Sequence, residues 1–245
     1  MKFTVITPYV EILTPLDGII EHLERAGRVC YKSEERIGPG TAEKFVRQLR
    51  QSGHESVLEH ATISALFVGD RSMSHQLVRH RIAAYSQESM RFCNYGKKDF
   101  QFVCPPSVGV QKGEYEFDDS VYPPAIKLQS CLPFKQYRWI LGRALDCVEY
   151  LDALEDHILP EDARSCLPQA TKTEVVATYN LRMWRHVFNE RALNERAQWQ
   201  IRELMQKCLE LFANKLPCIF EDQMEKLNEF RSKEAVSKKS ISSSN

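Results

Sequence analysis

The sequence predicts a mixed α+β protein, with strands concentrated early in the chain and helices late. Three observations carry this reading. Residues 61–68 form a run of β-forming residues in which Ile63, Ala65 and Phe67 share one face. Apolar residues then recur at helical spacing, first as Trp139, Ile140, Ala144, Leu145, Val148 and Leu151 and again as Ile201, Leu204, Met205, Cys208 and Phe212. Hydrophobic residues make up 43% of the chain, enough for a sizeable core and too many for a disordered protein.

Taken in order, residues 3–9 read as a short β-rich run, ended by turn chemistry around Pro15. Over residues 16–29, Ile19, Ile20, Leu23 and Ala26 recur at helical spacing. Thr41 reads as the N-cap of the next helix, with Glu43 in its first turn, Phe45, Val46 and Leu49 as its apolar stripe, and an end near Gly53. The strand at 61–68 ends at Gly69-Asp70, and residues 72–80 read as a helix that keeps Met73, Gln76, Leu77 and His80 near one another. Residues 99–124 differ in character. Prolines 105, 106, 123 and 124 with Gly109 and Gly113 punctuate them, which predicts an irregular excursion that either covers a neighbouring site or decorates the surface. Val175, Val176 and Tyr179 read as part of a later helical pattern. After Phe230 the chain turns to lysine and serine. Residues 1–230 are therefore expected to form one domain and 231–245 a disordered tail.

Formal net charge is zero over 245 residues, so no global field attracts nucleic acid or an anionic membrane. Any anion site has to come from local clustering. No apolar run approaches the ~18 residues that span a bilayer, and the N-terminus lacks a signal-peptide pattern, so a cytoplasmic location is expected. The eight cysteines (Cys30, Cys93, Cys104, Cys131, Cys147, Cys166, Cys208 and Cys218) are scattered and include no Cys-x-x-Cys pair. They are read as structural thiols.

The densest chemistry lies between Gln76 and Phe92. Arg79 and Arg81 stand two apart, as do Ser89 and Arg91. On a helix such pairs diverge, whereas on extended or looping backbone they project to one side, where each pair can clamp an anion. Arginine offers phosphate a bidentate fork, and a serine hydroxyl adds a further bond. A solvated basic surface has the same composition. The interleaved Leu77, Val78, Ile82, Tyr85 and Phe92 favour a segment threaded past a core, and so a site.

The order Arg79-His80-Arg81, then Gln87, Ser89 and Arg91, resembles the signature RHRxxSxNExSxRY of the flavin-dependent thymidylate synthases. This chain departs from it at Ala84 (for Ser), Ser86-Gln87 (for Asn-Glu) and Phe92 (for Tyr). The resemblance extends to Gly53-His54-Glu55-Ser56 with Glu59-His60, to Gln76, and to Ala163-Arg164-Ser165-Cys166-Leu167-Pro168. It continues through Asn180-Leu181-Arg182, His186, Arg191 and Ala197-Gln198-Trp199-Gln200-Ile201, with one extra residue between Arg191 and Ala197.

The resemblance implies an enzyme that methylates dUMP to dTMP with FAD, NADPH and 5,10-methylenetetrahydrofolate. It also implies antiparallel sheet elements flanked by helices in a single-domain protomer, and a homotetramer whose active sites are shared between subunits. By the same resemblance dUMP would meet Gln76, Gln87, Ser89, Arg91, Arg164 and Arg191, and FAD would meet Ser56, Arg79, His80, Arg81, Asn180, Arg182 and His186. The catalytic pair implied is Arg191, beside the uracil ring, and His54, at the flavin face where folate and nicotinamide enter. No cysteine nucleophile and no metal are implied. Nucleic-acid binding is disfavoured by the neutral chain and the lack of a wider basic stripe. A zinc hydrolase built on His54, His60, His75 and His80 lacks a His-Glu-x-x-His spacing. A non-enzymatic helical scaffold leaves the arginine cluster unexplained.

Overall fold

The structure is a computed structural model that describes residues 1–127 and 131–242, with side chains described as far as residue 235. In chain order the elements are β1 (Lys2–Ile6), β2 (Tyr9–Ile12), α1 (Ile19–Arg28), α2 (Thr41–Gln51), β3 (Thr62–Asp70), α3 (Arg71–Leu77), β4 (Ala84–Gln87) and β5 (Phe100–Val103). They continue with β6 (Gly113–Asp118), β7 (Ala125–Lys127), α4 (Phe134–Glu155), α5 (Pro160–Ala163), β8 (Lys172–Asn180), α6 (Leu181–Arg191), α7 (Trp199–Lys215) and α8 (Pro217–Ser242). The expected α+β fold with a helical C-terminal half is observed. The protomer consists of two compact units interleaved along the chain: Met1–Tyr9, Val68–Gln76 and Ser86–Val175 in the first, Val10–Phe67, Leu77–Tyr85 and the chain from Val176 in the second.

The first unit is built on a sheet of order β5-β1-β6-β7. It is antiparallel except for the β1–β5 pair, which is parallel with Val5 opposite Phe102. The physical reason for the sheet is the alternation of aromatic and polar residues in FQFV and GEYEFD, which puts Phe100, Phe102 and Phe117 on the buried side. Phe3 meets Phe102 edge-on at 5.4 Å between ring centres, and Ile140, Ala144, Cys147 and Tyr150 of α4 complete this core. The irregular excursion expected over 99–124 is thus corrected. Its prolines and glycines bound strands that fill the core, and their short length had hidden the alternation.

A second sheet has the order β2-β3-β8-β4. In β3, Ile63, Ala65 and Phe67 are fully buried, as their alternation predicts. The helical reading of Val175, Val176 and Tyr179 is overturned, because residues 172–180 form β8 with Thr173, Val175, Ala177 and Tyr179 buried at every second position. The β-branched run in KTEVVATYN suits a pleated surface better than a helix.

In the second unit, α6, α7 and α8 share an aromatic cluster of Trp184, Phe188, Phe212 and Phe220. The indole N–H of Trp184 donates to the Ile63 carbonyl at 3.0 Å. Thr41 is not a cap. Gly40, at φ 76°, holds the cap position, while the Thr41 hydroxyl accepts from the Gly38 amide and lies 2.9 Å from the buried Glu24 carboxylate. The tail expected to be disordered from 231 is helical as far as Ser242, and residues 243–245 lie outside the described part. Among the described residues no helix is long and apolar enough to cross a membrane.

If residues 99–124 supply core, Phe102→Ala costs roughly 3–5 kcal/mol of stability. Urea unfolding reads this as a lower midpoint, and a decorating segment would leave the midpoint where it is.

Candidate active site

The helix expected over 72–80 stops at Leu77, and the chain then turns through 78–83 into β4. Asp70 starts that helix, its carboxylate accepting from the Met73 amide at 2.8 Å. In the turn Ile82 sits at φ 64°. A β-branched residue in the left-handed region costs on the order of 1–3 kcal/mol and persists only where its surroundings fix it. The looping backbone expected for Arg79 and Arg81 is therefore present.

The turn delivers Arg79, His80, Arg81 and Ile82 to one cavity of about 730 Å³ in the second unit. Its other wall is the start of α6, which contributes Asn180, Arg182, Met183, Arg185, His186 and Asn189, with Glu55 and Glu59 from the 3-10 turn Glu55–His60. Six of the seven residues expected at the flavin thus line one space. Ser56 is exposed and does not line it. Arg185 and Asn189 were not singled out in the sequence, although 182, 185, 186 and 189 fall on one helical face, which is the signal that identifies them.

The charges in this cavity are sorted. Arg182 donates to Glu59 at 2.6 Å, and Arg185 donates to Glu55 at 3.0 Å while forking onto Asp222 at 2.8 and 2.9 Å. Among the described residues Arg79 and Arg81 have no ion-pair partner. At the far end of α6, Arg191 Nε donates to His80 Nε2 at 2.9 Å. The imidazole therefore keeps its proton on Nδ1. Burial, then the Arg191 guanidinium, then His186 hold the His80 pKa down at about 4, against an ordinary 6.5. The His186 ring lies 6.3 Å from that of His80, edge to face.

The other nucleotide candidates lie in the first unit. The Gln87 side-chain amide donates to the Ser74 and Thr173 hydroxyls at 3.0 and 3.2 Å, and that of Gln76 donates to the Ser72 carbonyl at 3.2 Å. The Ser89 hydroxyl accepts from the Arg91 amide at 3.3 Å. Arg91 and Arg164 both turn to Glu161: Arg91 Nε donates to its carboxylate at 2.5 Å, and Arg164 Nε donates to its carbonyl at 2.8 Å. Arg164 also lines a cavity of about 330 Å³ with Arg71, His75, Met90 and Gln169. Arg71 and His75 stand one turn apart on α3; the sequence reading did not single out Arg71 and considered His75 only as a zinc ligand. His54 stands before the 3-10 turn and lines a separate pocket of about 500 Å³ with Arg28, Tyr31 and Phe45. Among the described residues no three His, Cys, Asp or Glu side chains are grouped to hold a metal ion.

A cavity walled by several arginines, two imidazoles and two asparagine side chains suits a large ligand that carries several negative charges. Comparison with known proteins narrows this class. Residues 13–218 match the family model described as thymidylate synthase complementing protein. A flavin-dependent thymidylate synthase of Pyrococcus furiosus is 37% identical over 192 residues, covering 77% of this chain and 70% of the relative. Those of Geobacter sulfurreducens and Mycolicibacterium gilvum are 34% and 35% identical, covering 80% and 88% of this chain and 78% and 84% of theirs. In fold the chain is similar to a solved UMP/dUMP methylase from Streptomyces cacaoi bound with 5-Br dUMP, with a TM-score of 0.66 at 21% identity over 89% of this chain and 95% of that one. The chain belongs to the family of flavin-dependent thymidylate synthases, FAD-dependent methyltransferases of dTMP synthesis.

Because the folded His80 pKa lies below the unfolded value, the unfolded chain binds more protons between about 4 and 6.5. Stability is therefore expected to fall as pH drops through that window. His80→Gln should flatten the dependence, as measured by thermal unfolding at stepped pH.

Proposed function

We propose that this chain converts dUMP to dTMP, taking its carbon from 5,10-methylenetetrahydrofolate and its reducing equivalents from NADPH. When bound, FAD supplies the hydride that completes the methyl group. The observation that carries the reading is the convergence of Arg79, His80, Arg81, Asn180, Arg182 and His186 on one cavity. The donor set fits the cofactor. Arg79 and Arg81 bring charge not already neutralised by a carboxylate, as a pyrophosphate needs. Asn180 and the Nδ1–H of neutral His80 offer uncharged donors. The cavity volume lies within the ~300–1,000 Å³ common for small-molecule sites.

For the nucleotide, Ser89, Arg91 and Arg164 are assigned to the phosphate. Glu161 presents Arg91 with an anion in this structure, the same kind of partner that a phosphate oxygen is. Gln76 and Gln87 use their amide nitrogens on protein acceptors, which leaves their carbonyls to meet donors of the nucleotide. Arg191 is assigned to the uracil ring, where its contact with His80 ties the nucleotide role to the flavin role through one hydrogen bond. His54 is assigned to the entry of folate and nicotinamide, and Ser56 to the flavin. Burial raises the thiol pKa of Cys147, Cys208 and Cys218. These thiols stay protonated and supply no thiolate nucleophile. The functional domain is assigned to residues 1–230, the assembly to a homotetramer with active sites at subunit interfaces, and the location to the cytoplasm.

Two variants separate the assignments. Arg79→Ala should purify without its flavin bands, and a fully yellow Arg79→Ala protein would contradict the pyrophosphate role. Arg91→Ala should keep FAD but need roughly tenfold or more dUMP, the cost of about one charge-assisted contact. The readout is the rate at which NADPH bleaches the flavin anaerobically, with and without dUMP. An unchanged dUMP requirement would remove Arg91 from the phosphate site.

A further inference from the structure

The turn that carries Arg79, His80 and Arg81 ends its helix without a glycine cap, and the His80 amide donates to the Leu77 carbonyl at 3.3 Å. No glycine follows Leu77, and the residue in the left-handed region is Ile82, which is 81% exposed. The last carbonyls of a helix need donors from elsewhere. The Tyr85 hydroxyl of β4 stands where a donor is needed, 2.9 Å from the Leu77 carbonyl and 2.5 Å from the His80 carbonyl. It also lies 2.7 Å from the hydroxyl of the fully buried Tyr179 on β8.

A proton count fixes the direction of these bonds. Both carbonyls can only accept, so the single proton of Tyr85 goes to them, and Tyr179 donates its own proton to the Tyr85 oxygen. We infer that Tyr179 and Tyr85 form a one-way hydroxyl relay, from β8 to the His80 and Leu77 carbonyls, that positions the Arg79-His80-Arg81 turn for the anionic part of the cofactor. The relay holds the backbone of His80 while Arg191 holds its ring. Burial raises the pKa of both phenols and so keeps the donors protonated. The two rings meet edge to face at 5.9 Å, so replacement by phenylalanine keeps the packing and removes only the hydroxyl. Neither tyrosine lines the cavity, which makes both of them positioning residues.

The inference rests on the flavin reading of the cavity, and the test keeps the two apart. Tyr85→Phe, Tyr179→Phe and the double variant are made in the full chain. Each is titrated with FAD by fluorescence quenching and melted by circular dichroism, and the His80 ring is titrated by NMR without flavin. Tyr85→Phe should bind FAD roughly tenfold more weakly, because it leaves the His80 carbonyl without its donor and the Leu77 carbonyl with the His80 amide alone. Tyr179→Phe, which keeps that donation, should lose only about two- to threefold. The double variant should be no weaker than Tyr85→Phe, since Tyr179 acts through Tyr85. In Tyr85→Phe the His80 titration should move from about 4 toward 6.5 as the turn loosens. Wild-type affinity in Tyr85→Phe, or losses that multiply in the double variant, overturn the relay. Should Tyr85→Phe fail to fold, a Tyr179→Phe protein with unchanged affinity and an unchanged His80 titration overturns it as well. If the wild-type chain binds no FAD, the flavin reading falls and the His80 titration alone decides the relay, an unmoved value in Tyr85→Phe overturning it.

Discussion

The candidate site depends on the strand-to-helix junction at Asn180. This residue ends β8 in extended conformation, and its side-chain oxygen accepts from the Met183 amide at 2.8 Å, which caps α6. The next amide, that of Leu181, donates to the Ala61 carbonyl at 3.0 Å, and Trp184 one turn on donates to Ile63. These bonds fix where α6 begins and how it is rotated. Rotation decides the chemistry: Leu181, Trp184, Val187 and Phe188 go to the core, so Arg182, His186 and Asn189 are left facing the cavity. An asparagine that both caps the helix and lines the cavity ties the folding of α6 to the placement of ligand groups.

A neutral chain with a cationic cavity needs its charges divided. Arg185 shares Asp222 with Arg50, and Arg50 with Arg47 shares Glu221, which ties α2, α6 and α8 by ion pairs. In such pairs the positive charge is already answered within the protein. The charges of Arg79 and Arg81 are held instead on a short turn whose backbone gives them little freedom. A turn of this kind loses less conformational entropy on binding than a flexible loop would. The fixed backbone also explains a β-branched residue at Ile82, where glycine would be easier to accommodate but would loosen the turn.

Much of the fold was legible in the sequence because several elements bury one face over a long enough span. The stripes of α4 and α7 and the alternation of β3 are cases of this. Residues 172–180 were misread because Val175, Val176 and Tyr179 fit a helical period as well as an alternating one. The tie is broken by Thr173 and Ala177, whose burial is decided by partners distant in sequence. Residues 99–124 were misread because prolines and glycines dominate the spacing, while the aromatic residues that form the core occur in strands of only four to six residues. Thr41 has the chemistry of a cap, but Gly40 before it adopts the left-handed conformation and leaves the threonine hydroxyl to the Glu24 carboxylate.

The sequence by itself determined the chemistry available: a signature of arginines, histidine, serine and glutamine in a fixed order, a neutral chain whose anion sites have to come from local clustering, and an α+β division of the core. Local pattern is enough for these because composition and short spacing are properties of the chain. Only the tertiary structure decided that Arg79, His80, Arg81, Asn180, Arg182 and His186 share one cavity, that Arg191 meets the His80 ring, and that Glu161 engages both Arg91 and Arg164. The His80–Arg191 pair is separated by 111 residues and the Arg91–Glu161 pair by 70. A hydrogen bond between such residues exists only once packing has set the positions of the elements that carry them.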